Sequence, residues 1–388
     1  MQGPWWVTIL LPSLLLSAVV PADGLWWLVP WALQLNMTYT ARPTNISAPF
    51  SSPRLINKPG GARGGSNAIR WSTGEARRYC GAVPWPVRRQ KIMCEKFPRA
   101  TTKVREGANL GIQECQHQFK HRLWNCSTAD ISVLQRLLSI RSRETAFLHA
   151  IVSAGVAYGV ARACSTGELQ ECSCSKAKTK PPPGAESAGG EWEWGGCSHN
   201  IRFGDNLSKE FMDANEVAAD DTGLMNLHNN EAGRKSIKAN MKVTCKCHGV
   251  SGSCATMVCW ESMPSFRQVG DIIMGKYHGA TYVKINKKGS RLRPRNKRHK
   301  RPTAHDVVYL DDSPDYCEVD VAKGSYGTRG RKCNRTSAGV DGCQLLCCNR
   351  DFVSREETTE ESCNCKFKWC CEVTCKKCKK KELVHYCK

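Results

Sequence analysis

The decapeptide C-K-C-H-G-V-S-G-S-C, residues 245–254, holds three cysteines, one histidine, two glycines and two serines. This composition is compatible with half of a zinc site, with the nucleophile loop of a serine hydrolase, or with a disulfide-closed loop that displays one hydroxyl group. These three interpretations make different demands on the residues around the decapeptide. The flanking sequence therefore has to choose between them.

The flanks of the decapeptide predict a β-hairpin. On the N-terminal side, Val243, Cys245 and Cys247 alternate with polar residues, and Met257 and Cys259 follow the decapeptide. Small turn residues lie between the two flanks. Alternation interrupted by a cluster of turn residues is typical of two antiparallel strands.

Zinc and hydrolase chemistry are both disfavoured. Cys245, Cys247 and His248 form C-x-C-H, which lacks the two-residue spacer of a zinc half-site, and no second half follows. The run G-V-S-G departs from the G-x-S-x-G elbow by one position. A nucleophilic Ser251 would also need a base that is oriented by a carboxylate, and the sequence identifies none.

A disulfide-closed loop fits the residue types best. Pairing Cys247 with Cys254 would close six residues, and pairing Cys245 with Cys259 would join the strands beneath them. The glycines permit a tight exposed turn that leaves the hydroxyl of Ser251 accessible to a modifying enzyme. A disulfide-closed turn with no role beyond its own structure is the alternative, and the residues alone slightly favour it.

The distribution of cysteine indicates an oxidising compartment and two disulfide-bonded units. The chain has 388 residues and 24 cysteines, of which none precedes Cys80, twelve lie between Cys80 and Cys259, and twelve lie between Cys317 and Cys387. Such density is typical of secreted proteins, because cytosolic thiols would reduce the bonds.

The N-terminus supports secretion. Residues 9–20 are mostly apolar and small residues follow, which predicts a signal peptide over residues 1–22. A second apolar patch at residues 25–35 leaves an uncleaved anchor as the alternative. Residues 23–75 are rich in Pro, Ser, Gly and Asn and predict a variable or disordered lead-in.

Helical periodicity follows the lead-in. Thr101–Trp124 predicts one helix, and Thr145–Ala163 predicts the buried central helix of the first domain, with His149 as a hydrogen-bonded core or boundary residue. Asn206–Asn215 and Asn226–Met241 predict helices with polar faces.

A basic run lies between two strand-like segments, Thr281–Ile285 and Val307–Leu310. Residues 284–301 contain ten Lys or Arg and no acid, and the whole chain has a formal charge of +22. Secretion argues against nucleic acid as the partner, which leaves heparan sulfate or a solvated linker over residues 286–305. The candidate glycan-binding residues are Lys287, Lys288, Arg291, Arg293, Arg295, Lys297, Arg298, Lys300 and Arg301.

Several long motifs resemble the Wnt family of secreted signalling proteins over residues 80–388. Besides the decapeptide they are E-C-Q-H-Q-F-K-H-R-L-W-N-C-S from Glu114, R-A-C-S-T-G-E-L from Arg162, N-L-H-N-N-E-A-G-R-K from Asn226, G-T-R-G-R-K-C-N-R-T-S from Gly327 and C-K-F-K-W-C-C from Cys365. The total of 24 cysteines agrees with the usual family count. The wording at Asn226 and Gly327 is most similar to the fourth numbered subfamily.

The resemblance implies that Ser251 carries an O-linked monounsaturated fatty acyl chain, added by a membrane O-acyltransferase. A lipid-shielding carrier would then accompany the protein during secretion. Each buried methylene contributes about 0.8 kcal/mol, so a receptor groove that takes up the chain gains much of its binding energy from it. A single acyl chain is only a marginal membrane anchor, so a second contact is expected.

The resemblance also implies two receptor-binding hairpins. A "thumb" would insert its lipid into the cysteine-rich domain of a Frizzled receptor, and an "index finger" at residues 363–378 would grip the other side. The implied contact residues are His248, Gly249, Val250, Ser251 and Gly252 of the thumb and Phe367, Trp369, Cys370, Cys371 and Val373 of the finger. The alternative for Trp369 is burial within its own domain.

Family connectivity implies a disulfide pattern that residue spacing alone could not select. It pairs Cys115 with Cys126, Cys164 with Cys172, Cys174 with Cys197, Cys245 with Cys259, Cys247 with Cys254, Cys317 with Cys348, Cys333 with Cys343, Cys347 with Cys387, Cys363 with Cys378, Cys365 with Cys375 and Cys370 with Cys371, which leaves Cys80 for Cys94.

The predicted architecture is α+β and disulfide-rich. A helical N-terminal domain at 76–285 would carry the thumb at 242–260, and a small cystine-rich β domain at 306–388 would carry the finger. The predicted glycosylation sites are Asn36, Asn45, Asn125, Asn206 and Asn334.

The predicted function is that of a secreted, extracellular and cell-surface-associated ligand. It would join Frizzled to a co-receptor of the low-density-lipoprotein receptor-related class and so trigger Wnt signalling in development. Neither catalysis nor a metal or cofactor is expected. The alternative is a heparin-binding extracellular matrix protein without receptor signalling.

Overall fold

The computed structural model describes residues 72–81, 87–127, 136–175, 191–216, 220–248, 256–369 and 372–388. The helices within these ranges are α1 Thr73–Gly81, α2 Arg88–Lys96, α3 Pro98–Phe119, α4 Arg143–Ser165, α5 Ile201–Met212, α6 Asp221–Lys238, α7 Phe266–His278 and α8 Cys343–Leu346. The strands are β1 Glu191–Trp194, β2 Lys242–His248, β3 Thr256–Ser262, β4 Thr281–Ile285, β5 Leu292–Pro294, β6 Val308–Tyr309, β7 Val319–Asp320, β8 Ser325–Tyr326, β9 Lys332–Cys333, β10 Phe352–Lys368 and β11 Glu372–Cys387. The predicted signal peptide and the lead-in up to residue 71 lie outside the described residues.

Helix α4 is the centre of the helical half, as its apolar periodicity predicted. It begins at Ser142, whose Oγ accepts a hydrogen bond from the backbone N–H of Thr145 at 3.4 Å, and it ends before Gly167, which has φ +73°. Among the described helices it is the one long and apolar enough to cross a membrane, but 83% of its apolar window is buried in the protein. It is therefore a core helix.

Glycines allow the other helices to approach α4 closely. A Cβ on Gly155 of α4 would lie 2.2 Å from the carbonyl oxygen of Gly107 in α3. A Cβ on Gly204 of α5 would lie 2.3 Å from the carbonyl of Ala157, and one on Gly233 of α6 would lie 1.9 Å from that of Ala150. These distances leave no room for a side chain, so the crossings require glycine.

The sequence predicted that α6 has a polar face, and in the structure this face is buried. The Asn229 side chain donates to the carbonyl of Val308 at 2.9 Å and accepts from its N–H at 3.0 Å. Arg234, whose side chain is 1% exposed, pairs with Asp213 at 2.9 Å and donates to Ser153 Oγ at 3.1 Å. The polar side chains of α6 thus bond buried backbone groups and a mostly buried carboxylate instead of facing water.

Helix α7 was missed from the sequence, although its N-terminus carries a capping box. Ser265 Oγ accepts from the Gln268 N–H at 3.3 Å, and the Gln268 side chain accepts in return from the Ser265 N–H. One side of α7 is fixed to α3 by Arg267, which pairs with Glu114 at 2.8 Å, and by Asp271, which accepts from Gln118 Nε2 at 2.8 Å.

The first part of the basic run forms a hairpin, while the boundaries of the linker predicted over residues 286–305 stay a prediction. Strand β4 pairs antiparallel with β5 and parallel with β6. Asn286 closes the turn because its Oδ1 accepts from the N–H groups of Ser290 at 2.9 Å and Arg291 at 3.0 Å. Part of the predicted linker is therefore ordered by backbone pairing.

Residues 306–316 pack against the helical half. Arg141, just before α4, pairs with Asp311 at 2.8 Å, and its carbonyl accepts from the Leu310 N–H at 2.9 Å. Tyr316 is buried and lies 6.4 Å from Trp124, ring centre to ring centre. The predicted domain boundary at 306 stays a prediction.

The C-terminal half has little apolar core and depends on disulfides. Its buried cluster consists of Cys343, Leu346, Cys347 and Cys387. Ten disulfides lie within the described residues, and each agrees with the pairing that the resemblance implied: 80–94, 115–126, 164–172, 174–197, 245–259, 317–348, 333–343, 347–387, 363–378 and 365–375. The two remaining predicted pairs involve residues outside the described ranges.

Candidate functional site

The thumb is an exposed hairpin of β2 and β3. The two strands pair antiparallel, with Cys245 opposite Cys259 and His248 opposite Thr256, and the Cys245–Cys259 bond joins them. Every residue of β2 is exposed. Residues 249–255, which include Ser251, Gly249, Val250 and Gly252, lie outside the described residues.

A third strand, which the sequence analysis missed, supports the thumb. Strand β1 pairs in parallel with β3, placing Trp192 beside Met257 and Trp194 beside Cys259. The alternation E-W-E-W at residues 191–194 was the available signal. This strand covers one side of β3, so that β3 has neighbours on both sides.

Hydrogen bonds extend this support beyond β1. His199 donates its N–H to the Glu261 carbonyl at 2.9 Å, and its Nδ1 accepts from the Met263 N–H at 3.1 Å. Burial, with help from Arg162, lowers the pKa of His199, which keeps Nδ1 unprotonated and able to accept. The Cys174–Cys197 bond anchors the same segment.

The index finger is the long hairpin of β10 and β11. Its register places Phe352 opposite Cys387 at the base and Phe367 opposite Val373 near the tip, with an irregularity between Cys363 and Lys366. Two disulfides, Cys363–Cys378 and Cys365–Cys375, brace the distal part. The strands therefore stay paired even though both faces are solvated.

The tip of the finger exposes a set of large apolar side chains. Phe367 is 69% exposed, Trp369 is 95% exposed and Val373 is 60% exposed. The alternative that Trp369 is buried within its own domain is therefore wrong. Cys370 and Cys371 lie outside the described residues.

Comparison with known proteins identifies the family of this chain. A model of the Wnt family matches residues 83–388. The chain belongs to the Wnt family. It is 45% identical over 316 residues to Protein Wnt-2b-A of Xenopus laevis, covering 81% of this chain and 89% of the relative. It is 44% identical over 316 residues to human Wnt-2b, covering 81% of this chain and 80% of the relative.

A solved Wnt structure supports the predicted α+β, disulfide-rich fold. The structure of human WLS in complex with WNT8A matches with a TM-score of 0.56 and 38% identity, covering 74% of this chain and 94% of the matched chain. Wnt proteins are secreted developmental signalling ligands and not enzymes, and lipid modification is typical of them. The named sequence relatives are Wnt-2b proteins, so the fourth numbered subfamily stays a prediction.

Two groups of cysteines in this Wnt chain resemble metal sites, but their sulfur atoms form disulfides. Cys245 and Cys247 are both disulfide-bonded, so neither offers the thiolate that zinc requires. The sulfurs of Cys333, Cys347 and Cys387 lie within 4.8 Å of one another, but they belong to two bonds, 333–343 and 347–387.

The basic hairpin forms a groove of about 800 Å³ lined by Lys284, Lys287, Lys288, Arg291, Arg293 and Lys297. All nine candidate glycan-binding residues are exposed. Arg295 is partly engaged, because its guanidinium lies 4.7 Å from the ring centre of Tyr282. In the described part of the chain, none of the nine forms an ion pair within 4.0 Å.

Three of the predicted glycosylation sites lie in the described residues. Asn206 and Asn334 are exposed and Asn125 is half-buried, so each side chain reaches the surface. Ser208, the hydroxyl residue of the sequon at Asn206, is buried and donates to the Ser153 carbonyl at 3.0 Å. Asn36 and Asn45 lie outside the described residues.

Proposed function

We propose that this chain is a secreted, lipid-modified glycoprotein that binds the cysteine-rich domain of a Frizzled receptor through its thumb and index finger. It would also engage a co-receptor of the low-density-lipoprotein receptor-related class, and so trigger Wnt signalling. The observation that carries the proposal is Trp369, 95% exposed at the end of a hairpin that two disulfides brace.

An exposed aromatic residue on a braced hairpin has the properties of a binding hot spot. Trp369, Phe367 and Val373 are solvated in the free chain, so their transfer into a receptor pocket removes apolar surface from water. The disulfides hold the hairpin in shape before binding. Little conformational entropy is then lost on association.

The thumb supplies the second contact. A fatty acyl group on Ser251 would add about 0.8 kcal/mol for each methylene that the receptor buries. The β1 strand and the Cys245–Cys259 bond hold the β2–β3 hairpin, whose two strands flank this serine in the sequence. The acyl group would be added by a membrane O-acyltransferase before secretion.

A lipid-shielding carrier is a proposed partner during secretion. The acyl chain exposes apolar surface to water whenever no receptor holds it, so transit requires a protein that covers it. The match to human WLS in complex with WNT8A supports a carrier of the WLS kind for this chain.

The experiment measures Frizzled binding for three variants of the secreted protein. Mass spectrometry of the Ser251 peptide should show the fatty acyl mass, and Ser251→Ala should abolish both this mass and most binding. Trp369→Ala should weaken binding about 30-fold to 100-fold, the effect of losing a central hot spot.

Leu383→Ala is the matched control, because Leu383 is 62% exposed on the same hairpin but far from its tip in the register. Its affinity should stay within about twofold of the parent, as expected for an exposed side chain outside the interface. An unmodified Ser251 together with full binding by Trp369→Ala would contradict the proposal.

The second candidate function is binding of heparan sulfate proteoglycans, which would retain the protein at the cell surface and in the matrix. The observation that favours it is the basic hairpin, whose ordered turn arranges its cations along one groove. An unmodified Ser251 with salt-sensitive heparin binding as the sole activity would favour the matrix-protein alternative.

A further inference from the structure

Arg331 attaches the base of the index finger to the helical half. Arg331 Nη1 donates to the carbonyl of Leu123 at 2.6 Å, and its Nη2 donates to the carbonyls of Arg122 at 2.5 Å and Lys120 at 3.3 Å. These carbonyls follow the end of α3 at Phe119, where the negative end of the helix dipole favours a cation.

Among the described residues, the hydrogen-bond partners of the Arg331 guanidinium are backbone carbonyls. No carboxylate lies within 4.0 Å of Arg331 in the described ranges, and burial lowers its pKa from the ordinary value. A partly desolvated guanidinium that three carbonyl groups satisfy holds these groups at fixed positions. We refer to Arg331 and the carbonyls of Lys120, Arg122 and Leu123 as the arginine clasp.

The backbone around Arg331 forms hydrogen bonds with the index finger. Its carbonyl accepts from the Cys387 N–H at 3.0 Å, and the next residues pair with β11, Lys332 opposite Tyr386 and Cys333 opposite His385. The Cys347–Cys387 bond fixes the same end of β11. Movement of Arg331 relative to α3 would therefore move the finger.

The thumb is attached to α3 through α7. Strand β3 ends at Ser262, and α7 begins at Phe266. The two ion-pair and hydrogen-bond contacts of α7 described above, at Glu114 and Gln118, hold it against α3. Helix α3 thus connects the thumb to the finger, with the arginine clasp as the joint at the finger end.

We propose that Arg331 is a positioning residue for receptor binding: by clasping the end of α3, it sets the separation between the thumb and the index finger. The proposal rests on the proposed function, because two hairpins that grip one receptor domain from opposite sides must be held at a matching distance. An interface misplaced by 1 Å or so loses much of its complementarity.

The first test measures the separation directly and involves no receptor. Keto amino acids at Lys246 of β2 and Lys381 of β11 accept spin labels without disturbing the 24 cysteines, and pulsed electron resonance gives the distance distribution. Arg331→Lys retains the charge but has one nitrogen in place of the separate Nη1 and Nη2 that bond different carbonyls, and Arg331→Ala removes every bond. The distance distribution between the two spin labels should be wider in each Arg331 variant than in the parent protein.

Arg329→Ala is the control, because Arg329 is two residues away, 65% exposed, and paired with Glu318 at 3.6 Å. It should leave the distribution unchanged. Thermal unfolding identifies which variants are folded, and Arg331→Lys carries the test if Arg331→Ala is not secreted. Folded Arg331 variants with the parent distribution would overturn the proposal.

The second test measures affinity for the Frizzled cysteine-rich domain. Arg331→Lys should bind about tenfold more weakly than the parent, while Arg329→Ala should bind as the parent does. A wider distribution with parent affinity would overturn the positioning role. If the parent itself failed to bind, the proposed function would be contradicted, whereas the arginine clasp would still be judged by the distances.

Discussion

His149 shows how a single buried residue can make the stability of the fold depend on pH. It is 0% exposed on α4, and neither ring nitrogen has a hydrogen-bond partner of acceptable geometry among the described residues. The predicted core position of His149 is confirmed, and Asn230 is a polar neighbour of its ring. Burial lowers its pKa to about 4, and Asn230 opposes the shift only in part.

Acidification should therefore destabilise the protein through this residue. The unfolded chain takes up a proton near pH 6.5, while the folded chain resists protonation until about pH 4. The contribution of His149 to the free energy of unfolding is fully present above pH 6.5. As the pH falls from 6.5 to 4, the protein loses this contribution, which is about 3 kcal/mol at most. Denaturant unfolding at several pH values should show this loss.

The variant His149→Leu removes the titrating ring. Its free energy of unfolding should decrease less between pH 6.5 and 4.5 than that of the parent, because other groups alone then titrate. Equal pH dependence in the two proteins would show that His149 is not the responsible group.

At the scale of elements, close helix crossings limit substitution more than apolar burial does. Gly155→Ala would place a methyl group 2.2 Å from a backbone oxygen of α3, so the two helices would have to separate. We expect a loss of about 3 kcal/mol or more in unfolding free energy. Chemical denaturation of the secreted variant, with circular dichroism as the signal, measures it.

Gly275→Ala in α7 is the matched control, because a Cβ there meets nothing within 4 Å. Removing a helical glycine should stabilise the protein by about 0.5 kcal/mol. If both substitutions had equal effects, the crossing distance would not be what makes Gly155 necessary.

Local sequence signals predicted some elements and missed others for physical reasons. The apolar spacing of α4 and the alternation around Cys245 depend on neighbouring residues, and both were predicted. The burial of Asn229 depends on Val308, 79 residues away, which no local pattern could reveal. Helix α7 had a readable capping box at Ser265 that was overlooked.

At the scale of the whole molecule, the positive charge is concentrated where it can act on a polyanion. The net charge is +22, and residues 284–301 contribute ten cations without an acid. The strand β11 is also rich in lysine, but Lys380 and Lys381 have carboxylate neighbours in Glu382 and Glu356. Paired charges attract a polyanion less than unpaired ones do.

Heparin chromatography should distinguish these two surfaces. Replacing Lys287 and Lys288 with alanine should lower the salt concentration at which the protein elutes, because both side chains project into the basic groove. Replacing Lys380 and Lys381 removes the same formal charge and should have a smaller effect. An equal decrease for both pairs would indicate attraction by net charge alone.

The candidate site was predicted only through resemblance, and its geometry needed the structure. Residue types suggested a displayed hydroxyl at Ser251 but could not exclude a plain turn. The exposure of Trp369 and the arginine clasp depend on how distant segments meet. The basic run illustrates the same point, since its charge suggested a linker, whereas pairing between β4 and β5 orders its first part.

The contact between Asn229 and Val308 has a practical consequence for dividing the molecule. A fragment that stops at residue 305 would keep Asn229 inside α6 but remove both backbone groups that satisfy its amide. It would also remove Asp311 from Arg141 and Tyr316 from the aromatic cluster around Trp124. An expression fragment that contains the N-terminal half alone should therefore end after Tyr316, before Cys317, the first cysteine of the second half.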